Sequence, residues 1–153
     1  MRLRSFAKRS VMPRVYKYLP AEFRAAEKVL EILDMVLFEG VFSCGTFGEL
    51  FWPRAHIDVD AFYCVIVCVE GHTISPDFIG PRECVFGGEF TFPALGHALE
   101  ISSGDVFVFN PYEFHGTAEI RVSSSNASRV MCAFFCKKGA IHTAANLQQY
   151  NQR

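Results

Sequence analysis

The stretch Ala61-Phe-Tyr-Cys-Val-Ile-Val-Cys-Val69 decides the fold of this chain. It is almost entirely apolar and rich in β-branched and aromatic residues, a pattern that favours a strand buried on both faces. The shorter apolar runs around it are separated by Gly, Pro, Ser and Asp, which favour turns. Many short strands with turns between them predict a mostly β domain, a jelly-roll or barrel. The other predicted strands are residues 41–47, 87–93, 97–101, 106–110, 116–122 and 129–136.

One helix is predicted before the strands. Pro20 suits a first helical turn, and apolar residues then recur at spacings of three and four. These residues are Phe23, Ala26, Leu30, Leu33 and Leu37. We therefore expect a helix over about residues 21–37, packed on the outside of a sheet. The expected domain is a single jelly-roll over residues 21–153, with its β core at about 41–138. The polar tail after Lys137 shows no pattern that predicts a helix or a strand.

Charge is distributed unevenly along the chain. Residues 1–20 contain six basic residues and no acidic one, so 9 of the 15 basic residues and all 16 acidic residues lie in 21–153, a net charge of −7 there. We expect residues 1–20 to be a separate basic arm: a solvated terminus, a nucleic-acid-contacting arm or an Arg-rich targeting segment. An acidic domain offers no broad phosphate-binding face, so binding of DNA or RNA would depend on the arm.

Composition limits the class of protein further. Half of the 153 residues are hydrophobic and 16 are Phe, which is typical of a packed β interior. No apolar run approaches the roughly 20 residues that a membrane-spanning helix needs, so we expect no membrane partner. The six cysteines lack zinc-finger spacing, and buried reduced thiols are the expected state. These features favour an intracellular protein, nuclear or cytoplasmic, with a mitochondrial location as the alternative that the Arg-rich N-terminus leaves open.

Three residues, His56, Asp58 and His115, are the candidate metal ligands. Residues i and i+2 of a strand point to the same face, so His56 and Asp58 can reach one ion together. A distant His from a later strand would complete two imidazoles and one carboxylate on one side of a metal. This set suits Fe(II), because the opposite side stays open. Any single His is more often structural, and His72, His97 and His142 are interpreted in that way.

An arginine is the candidate for binding a small molecule beside the metal ion. Arg129 opens the apolar strand 129–136, where a guanidinium would be costly to bury without a partner. Its planar group suits bidentate capture of a carboxylate, such as the distal carboxylate of a dicarboxylic keto acid. Arg121 is the rival for this role. A surface arginine at a strand start is the structural alternative.

These motifs together resemble those of Fe(II)/2-oxoglutarate-dependent dioxygenases over residues of about 41–138. The motifs are His56-Ile-Asp58, Gly87-Gly-Glu-Phe-Thr-Phe-Pro93, Gly104-Asp-Val-Phe-Val-Phe109 followed by His115-Gly116, and the late Arg129. The resemblance implies a double-stranded β-helix (jelly-roll) with a flanking N-terminal helix. It also implies Fe(II) held by the catalytic residues His56, Asp58 and His115, 2-oxoglutarate bound by Arg129, and O2 as the oxidant.

The stretch from Gly88 to Phe109 looks most like the TET/J-binding-protein branch, including its compact fungal members. That branch oxidises methyl groups on nucleic-acid bases, so a base such as 5-methylcytosine in DNA or RNA is the first expected substrate. Two positions depart from the TET pattern: Ala61 stands where TET enzymes carry an Asn, and Arg129-Val-Met131 stands where TET enzymes tend to have Arg-x-Ser.

Two other functions remain open. A protein or small-molecule hydroxylase is the first, because 87–93 also resembles the prolyl hydroxylase pattern. A catalytically inactive jelly-roll binding module is the second. If a base is the substrate, it must be flipped towards the metal and stacked on an aromatic ring. The candidates for stacking are Phe62, Tyr63, Tyr112 and Phe114.

Overall fold

The structure is a computed structural model that describes residues 9, 11–34, 42–72, 85–123 and 127–151. Its strands are β1 (Cys44–Glu49), β2 (Asp60–His72), β3 (Val85–Gly87), β4 (Phe90–Phe92), β5 (His97–Leu99), β6 (Val106–Phe109), β7 (Gly116–Thr117), β8 (Ile120–Val122) and β9 (Ala127–Lys137). The helices are α1 (Met12–Tyr18), α2 (Pro20–Ile32) and α3 (Lys138–Asn151), and Pro93–Leu95 forms a 3-10 turn.

The strands form antiparallel sheets that pack face to face. The largest sheet has the order β1-β9-β2-β6, and a three-stranded sheet has the order β5-β4-β7. Phe90 and Phe92 of β4 pack against Cys64 and Ile66 of β2, so the two sheets share one apolar layer. Strands β3 and β8 form a separate pair. The chain is therefore mostly β, a double-stranded β-helix with flanking helices, as the sequence predicts.

The apolar strand that decides the fold is buried on both faces. Val65 and Val67 point towards a helix-covered core, whereas Cys64, Ile66 and Cys68 point towards the second sheet. The alternation follows from the two-residue period of a strand. It is interrupted between Ala61 and Val65, where the register of β2 against β9 shifts. This bulge re-aims the start of β2, which lies beside the candidate metal ligands.

Helix α2 covers the outer face of the large sheet through the predicted stripe. Phe23, Ala26 and Leu30 are buried in the core that Phe134 and Phe42 complete. The helix ends at Ile32, inside the predicted range 21–37, because the chain leaves the helical conformation at the next residues and Asp34 has a φ of 52°. The last residue of the predicted stripe, Leu37, lies outside the described residues.

The second half of the predicted basic arm belongs to the domain. Residues 12–18 form α1, and Val11, Met12 and Val15 are fully or almost fully buried in the same core as α2. A separate arm ending at residue 20 is therefore wrong for this part of the chain, because its apolar residues pack while Arg14 and Lys17 stay exposed. Residues 1–8 and 10 lie outside the described part.

Two further sequence expectations differ from the structure. The single strand predicted over 116–122 is divided into β7, which pairs with β4, and β8, which pairs with β3. The polar tail after Lys137, for which the sequence predicts no element, forms helix α3, and its Ile141 packs on the helix-covered core. None of the helices in the described ranges is long and apolar enough to cross a membrane.

The five cysteines of the described residues have free thiols. Cys44, Cys64, Cys68, Cys132 and Cys136 form no disulfide, and Cys84 lies outside the described residues. Burial raises the pKa of the Cys64 thiol and raises the pKa of Cys136 to about 11. These thiols therefore pack as small apolar groups.

The packing of α1 can be tested by truncating a buried side chain. Val15→Ala should lower the free energy of unfolding by about 1–3 kcal/mol, because it removes apolar surface from the core and leaves a cavity. Tyr18→Ala on the same helix is the matched control, since Tyr18 is 71% exposed and should change stability little. Urea denaturation measures both. Equal stability of the two variants would contradict a packed α1.

Candidate metal centre

The centre is built on a backbone bridge between two distant segments. The His56 amide donates to the His115 carbonyl at 2.7 Å, and the His115 amide donates to the His56 carbonyl at 2.9 Å. This isolated antiparallel pairing continues the edge of the sheet beyond β7. The Asp58 amide donates to the Pro111 carbonyl at 3.0 Å, which fixes the backbone two residues after His56. The backbone thus positions all three candidate ligands.

Gly116 allows the two segments to approach each other. A Cβ at this position would lie 2.8 Å from both the backbone nitrogen and the Cα of Ala55. Real Cβ atoms do not tolerate such distances, and backbone atoms cannot rotate away. The glycine that follows His115 is therefore required by close packing against the residue that precedes His56.

The side chains of His56, Asp58 and His115 converge on one point. Asp58 Oδ2 lies 3.5 Å from His56 Nε2 and 3.5 Å from His115 Nε2. One ligand atom from each residue lies within 4.8 Å of the others, a separation that allows all three to bind one ion. The structure therefore brings together the three residues that the sequence singles out.

The hydrogen bonds of the two histidines leave Nε2 as the acceptor. His56 Nδ1 lies 2.7 Å from the Arg54 carbonyl, and His115 Nδ1 lies 2.6 Å from the Glu113 carbonyl. A carbonyl only accepts, so Nδ1 carries the proton in each ring. In the neutral imidazoles both Nε2 lone pairs then face the Asp58 carboxylate. Three acceptors that face each other are stabilised by a cation between them, and backbone carbonyls are common partners of metal-binding histidines.

One side of the centre is apolar and the other is open. His115 is 3% exposed, and its ring lies between Phe90, with centroids 5.5 Å apart, and Phe109, at 4.6 Å. His56 and Asp58 are 39% and 35% exposed. Phe114, which adjoins His115 in the sequence, is 40% exposed and does not cover the centre. Phe90 and Phe109 cover its buried side, because these side chains of β4 and β6 point into the space between the sheets.

The three residues line a cavity of about 560 Å³ between the two sheets. Its walls are mainly apolar and aromatic: Phe47, Phe51, Phe90, Phe109 and Phe135 line it. The stacking candidates from the sequence lie elsewhere. Phe62 and Tyr63 pack against the helix-covered core, and Tyr112 and Phe114 do not line the cavity. The bulge in β2 explains the first pair, because it turns both rings to the same outer face.

Two charged residues of the cavity were not singled out from the sequence. Asp60 is 2% exposed, and its Oδ1 lies 2.9 Å from Lys137 Nζ on the facing strand β9. The hydrogen bond to Asp60 raises the pKa of Lys137. For Asp60, a signal existed in the alternation His56-x-Asp58-x-Asp60, which places all three on one face. For Lys137, only the register of β9 against β2 shows the pairing.

Arg129 is buried, whereas Arg121 is exposed. Arg129 is 3% exposed, and its terminal nitrogens donate to the Gly87 carbonyl at 3.0 Å and the Ile101 carbonyl at 2.9 Å. It lies on the same face of β9 as Met131, which lines the cavity, but is not itself part of the lining. Arg121 is 74% exposed and pairs with Glu119 at 2.9 Å, so it is not brought to the centre.

The double glycine at the end of β3 makes room for Arg129. Gly87 and Gly88 have φ values of 72° and 77°, and a Cβ on Gly88 would lie 2.3 Å from Arg129 Nη1. Both the backbone conformation and the space therefore require glycine at 88. The Gly-Gly motif and the late arginine of the sequence are one packing unit.

Comparison with known proteins supports the fold. No family model and no curated protein matches the sequence. A solved structure, NgTET1 in complex with 5mC DNA, superposes with a TM-score of 0.60 at 13% sequence identity. The chain has a distant TET-like fold. The match covers 84% of this chain and 46% of the other, so this chain spans less than half the length of that TET protein.

The close approach at Gly116 gives a direct test of the bridge. Gly116→Ala should lower the free energy of unfolding by about 1–3 kcal/mol, because the added methyl group must displace backbone. It should also weaken Mn(II) binding by separating His56 from His115. Gly139→Ala in α3 is the control, since its Cβ would meet nothing within 4 Å and alanine favours helix. Calorimetry measures both quantities. Unchanged metal affinity in Gly116→Ala would show that the bridge does not position the ligands.

Proposed function

We propose that this protein is an Fe(II)/2-oxoglutarate-dependent dioxygenase that oxidises a substrate C–H bond. The observation that carries the proposal is the convergence of two imidazole acceptors and one carboxylate at the mouth of an apolar cavity. The TET-like fold supports it. The three residues His56, Asp58 and His115 together also argue against an inactive binding module, which would not need all of them.

The donor set fits Fe(II). Two neutral imidazoles and one carboxylate on one side leave the other side for a co-substrate, and such sets are typical of non-heme iron oxygenases. Bound Fe(II) would supply the oxidative chemistry with 2-oxoglutarate and O2. The chain supplies orientation: the Arg54 and Glu113 carbonyls fix the two rings, and Phe90 and Phe109 exclude water from the buried side.

Arg129 is the proposed anchor for 2-oxoglutarate. Its guanidinium is buried, and arginine can hold a carboxylate through two parallel N–H groups. The Gly87 and Ile101 carbonyls orient this group, and the Gly-Gly turn fits closely around it. These contacts support a role inside the domain and argue against the surface-arginine interpretation. The rival Arg121 has no such support.

A methylated nucleobase such as 5-methylcytosine is the proposed substrate. The TET protein with the same fold was solved with 5mC DNA, and the aromatic cavity suits a flat ring. A protein or small-molecule hydroxylase is the second candidate. It is favoured by the acidic charge of residues 21–153 and by α1, whose core contacts place it on the face of the large sheet opposite the cavity. Residues 11–19 of the predicted basic arm therefore lie away from the cavity, where they could not hold a nucleic acid beside the candidate metal centre.

Removing the carboxylate ligand tests the metal role. Asp58→Ala should weaken Fe(II) or Mn(II) binding by more than about a hundredfold, since losing even an outer partner of a ligand costs 10–100-fold. Succinate formation from 2-oxoglutarate should disappear with it. His97→Ala is the matched control, because His97 is exposed on β5. Metal titration and a succinate assay measure the two effects. A wild-type protein that forms no succinate would contradict the proposed dioxygenase function.

Replacing the buried arginine tests the co-substrate role. Arg129→Lys keeps the charge but loses the planar fork, so 2-oxoglutarate affinity should fall about 10- to 100-fold while Mn(II) affinity stays the same. Arg121→Lys should change neither. Titration of the Mn(II)-loaded protein with 2-oxoglutarate distinguishes them. If metal affinity falls while keto-acid affinity does not, Arg129 has a different role.

A further inference from the structure

An ion pair forms part of the cavity wall next to the candidate metal ligands. Asp60 and Lys137 are paired across β2 and β9, with Oδ1 and Nζ 2.9 Å apart. The Asp60 carboxylate is almost fully buried and the Lys137 side chain is half exposed. Asp60 is two residues from Asp58 on the same face, and both pair members line the cavity. None of the roles proposed above uses this pair.

The pair is held in place from both sides. The Lys137 amide donates to Ser43 Oγ at 3.1 Å, and its ammonium lies 4.7 Å from the ring centroid of Phe135, another cavity residue. The second carboxylate oxygen of Asp60 accepts a weak thiol hydrogen bond from Cys64 at 4.0 Å. A fixed donor and a fixed acceptor therefore lie side by side on a mainly apolar wall, a geometry that favours selective recognition.

The chemistry of the pair defines what it can recognise. The pair has no net charge, so a charged substrate group gains from one member and is repelled by the other. A neutral group that presents an N–H donor beside a lone-pair acceptor satisfies both, through Asp60 and Lys137 respectively. The aromatic walls require that this group be part of a flat ring. The amino-pyrimidine edge, with an exocyclic amine next to a ring nitrogen, has this pattern.

We propose that Asp60 and Lys137 determine substrate specificity by reading the donor–acceptor edge of a flat, neutral amino-pyrimidine ring. The inference rests on the proposed function, since it takes the cavity beside the metal centre as the substrate site. Asp60 accepts from the exocyclic amine, and Lys137 donates to the ring nitrogen. The methyl-bearing side of the ring then faces the metal ligands.

The test compares two probes that differ in one donor. One is a single-stranded oligonucleotide with one 5-methylcytosine, and the other carries 5-methylpyrimidin-2-one at that position, which lacks the exocyclic amine. Binding is read from the fluorescence of Trp52, the one tryptophan of the chain, with and without Mn(II). Oxidised base is read by mass spectrometry. Wild-type protein should prefer the amine-bearing probe about 10- to 100-fold, the range for a hydrogen bond to a charged group.

The variants separate recognition from folding. Asp60→Ala should abolish the preference, so that the two probes bind about equally. Asp60→Asn should restore part of the preference, because an amide oxygen still accepts a hydrogen bond. Lys137→Met should weaken both probes alike, since both retain the ring acceptor. The exposed ion pair Glu119–Arg121 gives the matched controls, Glu119→Gln and Arg121→Met, which should keep the wild-type preference. The preference is a ratio within one sample, so partial unfolding of a variant does not change it.

Two results would overturn the inference. The first is an Asp60→Ala variant that keeps the wild-type preference, and the second is a wild-type protein that binds neither probe or both equally. The proposed function has its own readout, succinate formation from 2-oxoglutarate without any oligonucleotide. Succinate formation with no probe preference contradicts only the role of the pair, whereas preference without succinate formation contradicts the dioxygenase activity.

Discussion

The two hydrogen bonds between the His56 and His115 backbones are the constraint on which the candidate site depends. They join segments that are 59 positions apart in the sequence and extend the smaller sheet beyond β7. With the backbone fixed there, each imidazole needs only its Nδ1 bond to a nearby carbonyl to aim Nε2 at Asp58. A side-chain cluster on loops alone would lose this precision, because every ligand would add its own backbone freedom.

The two faces of the large sheet contact different parts of the molecule: one face packs under the helices, and the other lines the cavity. One set of alternate residues on β9, Cys132, Phe134 and Cys136, packs under α1 and α2, while the other set, Met131, Ala133 and Phe135, lines the cavity. The two-residue period of the strand separates these sets. Helix packing can therefore stabilise the fold without occupying the space beside the metal centre.

Local patterns in the sequence were sufficient to predict β2, the apolar stripe of α2 and the pairing of His56 with Asp58 on one face, because neighbouring residues alone determine these features. The role of α1 was missed because its basic residues dominate a segment whose Val11 and Val15 are buried. The pairing of Asp60 with Lys137 depends on the register of two strands that are far apart in the sequence. The aromatic cavity likewise depends on how two sheets face each other, and no short window encodes that arrangement.

Two carboxylates on one face of the chain, those of Asp58 and Asp60, have different surroundings. Asp60 is buried beside Lys137, so its charge is balanced within the protein. Asp58 instead faces the Nε2 atoms of two imidazoles, whose Nδ1 protons are donated to backbone carbonyls. Asp58 is therefore the carboxylate available to the candidate metal centre, and the Asp60–Lys137 pair is the polar part of the cavity wall that the proposed substrate would meet.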